Sequence, residues 1–401
     1  MFLQGFRHSE FEGVARVLER QLQRSRGGTA VCVYHRGECV VDLWAGTRDR
    51  DGRPWERETV APSFSTTKGV MSTLVHVLVD RGELDYDDPV SRYWPEFAQG
   101  GKRGITVRQL LTHGAGLHDI RPRIDHARRM LDWEYMTDVL ARGEPSLPPG
   151  PRSAYHALTF GWLVGELVQR VGGQPLGRLL DELLAQPLGL DGLYVGVPEE
   201  LLPRIARLVP PRLPPSPGPR ARRVGGWIEG LLHGLPLPIN PRYIVDALAP
   251  HGIRDFDFSA DATVRVPIPA ANGHFTARSL ARLYAALGAG GELDGTRILS
   301  SETLRRATRI ERHGFDRIIP FPMHWRLGFH RAATTRGTLP QGFGHFGFGG
   351  SGGFCDPASE LAVGLVVNSG VGTPFGDLRI LQIGGAAVAA VRLRDGRARA
   401  G

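Results

Sequence analysis

Ser65-Thr66-Thr67-Lys68 is the sharpest chemical pattern in this sequence. Val70, Leu74, Val77 and Leu78 follow at helical spacing, which predicts a helix over 65–80. Residues three apart share a helix face, so the Lys68 amine can reach the Ser65 hydroxyl. A serine hydroxyl is a poor nucleophile until a base takes its proton. Free N–H groups at the helix start favour an oxyanion, and their partial positive charge lowers the amine pKa. The pair could therefore attack a carbonyl and hold its acyl group. The alternative is a capping serine followed by a surface lysine.

Composition bears on that choice. Of 49 basic residues only Lys68 and Lys102 are lysines. Arginine stays protonated, whereas a buried lysine can lose its proton and act as a base. Lys102, within Gln99-Gly100-Gly101-Lys102-Arg103, reads as an exposed turn. The formal charge of +8 invites a nucleic-acid reading. The arginines are scattered, however, and their clusters (Arg220, Arg222, Arg223; Arg392, Arg394, Arg397, Arg399) sit in a proline-rich loop and a tail, so no nucleic-acid partner is expected.

Other patterns carry less. Asp85-Tyr86-Asp87-Asp88 and Asp255-Phe256-Asp257 lack calcium-loop spacing, and no zinc motif occurs, so neither metal nor cofactor is expected. Gly349-Gly350-Ser351-Gly352-Gly353 fits a G-x-S-x-G elbow, but strands flank it and no histidine follows. It reads as a glycine-rich bulge that admits a substrate to the sheet edge. Cys32, Cys39 and Cys355 read as small buried thiols. No stretch is long and apolar enough to span a bilayer, and no basic start with an apolar run suggests export; a cytoplasmic address is expected.

The elements that must position these residues are legible in outline. The 401 residues, 41% hydrophobic, can bury a large core. Helical spacing covers 10–22, 65–80 and 158–171, the last stopping at Gly172-Gly173. Thr106 and Thr276 are N-caps of helices over 106–112 and 276–287. A hairpin joins strands over 31–34 and 39–44, with Tyr34 opposite Cys39 and Cys32 opposite Val41. Strands are expected over 325–329, 344–348, 353–355 and 361–367, and a closing helix over 379–394. Six prolines within 210–219 mark an irregular excursion, and 227–237 is an apolar loop or lid. Strands at both ends and helices between them give an α/β (α+β) fold. One antiparallel sheet is built from N- and C-terminal segments, flanked by helices and carrying a mostly helical insertion. The expected organisation is one unit over 1–401, with the sheet portion from 1–84 and 270–395 and the insertion over 85–269, including the excursion 210–266.

Several ordered segments together resemble the serine β-lactamase-like superfamily. They are Ser65-Thr66-Thr67-Lys68, Arg81-Gly82-Glu83-Leu84-Asp85, Asp88-Pro89-Val90-Ser91, Ile105 through Leu117, Tyr155-His156-Ala157, Asn272 through Arg278, and His345-Phe346-Gly347. The pattern is similar to that of family-VIII carboxylesterases within the superfamily. The resemblance implies a Ser65 acyl-enzyme, with Lys68 and a Tyr155 phenolate sharing the proton. It also implies an oxyanion hole from the Ser65 and Phe348 N–H groups, and substrate contacts at His156, His345, Phe346, Gly347 and Gly349.

Two departures shape the substrate expectation. Ala157 stands where the related β-lactamases carry an asparagine amide. His345 replaces the lysine of Lys-Thr-Gly, and an imidazole is mostly neutral at pH 7. Both favour a small-molecule ester over a β-lactam or peptide carboxylate. An acyltransferase with the same acyl-enzyme, or a β-lactamase or D-peptidase, are the rival activities. For Tyr155 the alternative is a packed loop tyrosine, and for His345 a strand histidine bonded to a carbonyl.

Overall fold

The computed structural model describes residues 2–150, 152–210, 240–369 and 377–398. Strands β1 (Gln4–Arg7), β2 (Gly28–His35) and β3 (Glu38–Gly46) come from the N-terminal part, with helix α1 (Glu12–Arg24) after β1. The C-terminal part supplies β4 (His330–Thr334), β5 (Gly337–Phe346), β6 (Gly352–Asp356) and β7 (Leu361–Val367). These strands form one antiparallel sheet in the order β1-β3-β2-β7-β6-β5-β4, joined at its middle where β2 pairs with β7.

A period of two distributes the side chains over the sheet faces. Val31 and Val33 of β2 and Leu361, Val363 and Leu365 of β7 share a core with α1 and a closing helix over Arg379–Ala398. Ala30, Cys32 and Tyr34, with Ala362 and Val366, face the opposite core. That core contains α2 (Thr66–Asp80), α3 (Thr159–Gly172) and α4 (Ala277–Gly288). Gly364 brings α4 close, since a Cβ there would lie 2.4 Å from the Ala277 carbonyl oxygen. The segment between α2 and α4 is largely helical. It also gives strand Leu193–Val195 to a small sheet with Ala61–Pro62 and Gly273–Phe275.

The caps follow local sequence. Thr106 accepts from Gln109 N and forms a full capping box, and Thr276 accepts from Ser279 N. Gly173, at φ 65, ends α3 in the left-handed region.

Several expectations need correction. Lys102 is not an exposed turn: it is wholly buried, and its ammonium donates to the carbonyls of Gln99 (2.8 Å), Ala141 (2.9 Å) and Gly143. Burial lowers its pKa to about 8. Residues 325–329 are not a strand. Gly328 at φ 76 breaks the extension, Trp325 makes an isolated bridge to Arg312, and the ladder begins at His330. The hairpin does set Tyr34 opposite Cys39, but a bulge at Val33/Tyr34 puts Cys32 opposite Asp42 rather than Val41. All three cysteines are free. β5 starts at Gly337 and ends at Phe346, so Phe348 lies in a 3₁₀ turn. The runs 211–219 and 227–237 lie outside the described residues.

Candidate active site

The first turn of α2 carries the chemistry. Phe64 has φ 43, a tight left-handed turn that sends the chain abruptly into the helix. Thr67 Oγ1 fastens it, donating to the Phe64 carbonyl at 2.5 Å and accepting the Gly273 N–H at 3.0 Å. Ser65 has helical φ and ψ, and its side chain makes no capping bond. Lys68 is 0% exposed. Both halves of the capping-serine, surface-lysine alternative therefore fail.

Lys68 Nζ has three neighbours. It lies 3.0 Å from Ser65 Oγ, 2.7 Å from the Ala157 carbonyl and 3.0 Å from the Ala270 carbonyl. Burial drives its pKa well below the ordinary lysine range. A neutral amine has two N–H bonds and one lone pair. The two carbonyls can only accept, so they take the N–H groups and leave the lone pair for the Ser65 hydroxyl.

Gly347 brings the C-terminal strands to this turn. A Cβ there would lie 2.2 Å from the Ser63 carbonyl oxygen and 2.8 Å from Thr66 Oγ1, so only glycine permits the approach. The next ring, Phe348, packs edge-on to Phe64 at 5.2 Å. Neither the Ser65 nor the Phe348 N–H donates a backbone hydrogen bond among the described residues.

Tyr155 arrives from the loop before α3. Lys68 Nζ lies 4.9 Å from its ring centroid. The ring stacks on Trp325, with centroids 5.6 Å apart and planes 7° apart, and meets His113 edge-on at 4.8 Å. Burial raises the phenol pKa, with a hydrogen bond to Ser65 acting the other way and the Asp316 charge adding to the rise. Burial thus favours the neutral phenol over the phenolate that the resemblance implied.

The expected substrate contacts divide. His156 is wholly buried with both ring nitrogens engaged: Nε2 accepts from Leu117 N at 3.1 Å and Nδ1 donates to the Ala154 carbonyl at 2.7 Å. It shapes the Tyr155 loop and offers a ligand nothing. Phe346 likewise has its N–H on His330 Nε2 and its carbonyl on His345 Nδ1. His345 is buried, 6.3 Å from the Tyr155 ring, and its Nε2 has no partner. Burial holds it neutral, well below the usual imidazole pKa. The carbonyl of Gly349, a residue at φ 83, is held by Arg379 at 2.7 Å.

The glycine run does not open the sheet edge to a ligand, as its sequence suggested. A Cβ on Gly353 would lie 2.4 Å from the Tyr284 ring, and one on Gly352 would lie 2.8 Å from Ile380 Cγ1. These glycines admit the protein's own helices. Ser351 is buried, its Oγ accepting the Val367 N–H.

Sequence reasoning missed Asp316. Its Oδ1 accepts the N–H groups of Tyr155 (3.0 Å), Ile318 (2.8 Å) and Ile319 (3.3 Å), and its Oδ2 accepts Trp325 Nε1–H at 3.2 Å. An aspartate opening Asp316-Arg317-Ile318-Ile319 is a turn signal for the local bonds. Nothing local announces Tyr155 or Trp325.

A fold of this topology, with a serine and a buried lysine one turn apart under a tyrosine, defines a class, and the β-lactamase family model matches residues 14–387. The chain belongs to the β-lactamase family and is a hydrolase of its esterase/β-lactamase kind. It is 39% identical over 355 residues to the esterase/β-lactamase LipL of Mycobacterium tuberculosis, covering 86% of this chain and 78% of that one. Among solved structures it is similar to a family VIII carboxylesterase (34% identity, TM-score 0.84, 97% of this chain and 100% of the other). A penicillin-binding protein homologue from Caulobacter crescentus matches similarly (34%, TM-score 0.83, 96% and 100%).

Proposed function

We propose that this protein cleaves carboxylic esters through a Ser65 acyl-enzyme. The observation that carries the reading is the buried Lys68 amine, whose N–H groups are occupied by two carbonyls while its third neighbour is the Ser65 hydroxyl. The names of LipL and of the family VIII carboxylesterase support an ester substrate.

In this mechanism Ser65 Oγ attacks the ester carbon as its proton passes to Lys68 Nζ. The N–H groups of Ser65 and Phe348 receive the oxyanion. The ammonium then donates to three acceptors: the two carbonyls and the serine oxygen. Tyr155, whose ring lies beside Lys68, delivers a proton to the departing alkoxide and is replenished from Lys68. Water then adds to the acyl carbon as its proton passes to the same pair, the acyl–Oγ bond breaks, and the pair returns that proton to Ser65 Oγ as the acid departs. The permanent cation that a substrate carboxylate needs is missing at His345, which favours uncharged esters over β-lactams.

Intact mass after treatment with a fluorophosphonate tests the reading. Wild type should gain one adduct and Ser65→Ala none. Equal labelling of the two proteins rules out Ser65 as the nucleophile.

A further inference from the structure

We propose that Asp316 is a positioning residue of this site, its buried carboxylate holding the Tyr155 loop and the Trp325 indole as one stacked unit beside Lys68. The inference rests on the role given to Tyr155 above.

Asp316 is 1% exposed, and its partners are all N–H groups. A carboxylate in dry surroundings is tolerated only when its oxygens are well bonded. Here the two oxygens have separate tasks. Oδ1 gathers the backbone N–H of Tyr155 together with those of Ile318 and Ile319, tying the 155 loop to the 316–319 turn. Oδ2 fixes the indole from Trp325, whose ring then lies parallel to the phenol. The polar groups nearest the phenol on the other sides are Ser65, Lys68, His113 and His345. His113 Nε2 and His345 Nε2 have no partner, and His113 Nδ1 accepts from the His156 N–H, so neither imidazole bonds the tyrosine backbone. Asp316 is the anchor that reaches both the Tyr155 backbone and the Trp325 indole.

Asp316→Asn tests this with little change of volume. The amide oxygen can still accept the Tyr155 N–H, but the amide nitrogen opposes the indole N–H. With a p-nitrophenyl ester, kcat should fall roughly ten- to a hundredfold, the scale of a ~1 Å misplacement, with KM within about twofold. Trp325→Phe removes the opposing N–H, so the cost of Asp316→Asn should be smaller in that background. Equal costs in the two backgrounds, or wild-type kcat in Asp316→Asn, overturn the proposal. If Asp316→Asn does not fold, Trp325→Phe alone decides: a lower kcat at constant KM supports it, and an unchanged kcat overturns it. The indole ¹⁵N–¹H resonance of Trp325 reads the same contact without turnover and should shift in Asp316→Asn. An inactive wild type would sink the esterase reading, and an unmoved resonance this one.

Discussion

The Tyr155 ring lies parallel to the Trp325 indole, with 7° between the planes. The phenol is thus held by its faces, and its hydroxyl is left to chemistry. Tyr155→Phe keeps the stack and removes only that hydroxyl. Ester kcat should fall about 10²–10⁴-fold, the usual contribution of a positioned acid–base group. The melting temperature should stay within a few degrees. A variant with wild-type kcat would remove Tyr155 from the mechanism.

Lys68→Arg replaces an amine that can be neutral with a guanidinium that cannot. Turnover should drop by about 10²-fold or more. In wild type the lowered Lys68 pKa means that the base form accumulates well below pH 10.5. The rate should therefore climb with pH and level off before the ordinary lysine range. A kcat still rising at pH 10 would contradict a depressed amine.

Gly347→Ala should damage both activity and folding. Its Cβ would collide with the Ser63 carbonyl, which is backbone and cannot step aside cheaply. Overpacking of this kind costs about 1–3 kcal/mol. Chemical denaturation and ester kinetics on the same sample would check it, and a neutral substitution would mean that strand and turn are further apart.

A carboxylate-bearing substrate should be turned over poorly. A hydrogen bond to a charged group contributes about 1.5–3 kcal/mol, so its loss lowers kcat/KM by roughly ten- to a hundredfold. Nitrocefin should accordingly lag an uncharged p-nitrophenyl ester by at least about that factor. Comparable rates would show that another cation serves the site.

Acid should unfold this protein early. His76, His113, His156, His274, His330 and His345 are all buried. Burial lowers each pKa, to about 3 for His76 and His156 and about 4 for His274 and His330. The unfolded chain binds protons at about pH 6.5, where the folded one does not. Stability is thus complete above pH 6.5 and is lost below it, by up to about 1.4 kcal/mol per pH unit for each histidine. Denaturant midpoints from pH 8 down to 5 would show the fall begin near 6.5, and a flat series would contradict it.

The sequence was most legible where one element decides the outcome. The α2 pattern, the Thr106 and Thr276 caps and the strand over 361–367 needed only local periodicity and capping chemistry. Ser65 and Lys68 could be paired because a single helical turn separates them. Lys102 misled because its three carbonyl partners include two that return some forty positions later, and turn-rich neighbours cannot reveal that. His156 misled differently: a polar residue beside a presumed catalytic tyrosine suggested a ligand contact, but the neighbouring backbone consumes both its nitrogens. Asp316 was invisible because its significance lies in an N–H from position 155 and an indole from position 325.

The pairing of β2 with β7 also has a consequence for biosynthesis. β2 is made more than three hundred residues before its neighbour, which emerges only as residues 361–367 leave the ribosome. Until then the nascent chain displays an open strand edge, the sort of template that invites association between chains. A message truncated before that point yields a product with no middle to its sheet. Chaperone demand during synthesis should therefore persist until residues 361–367 have emerged.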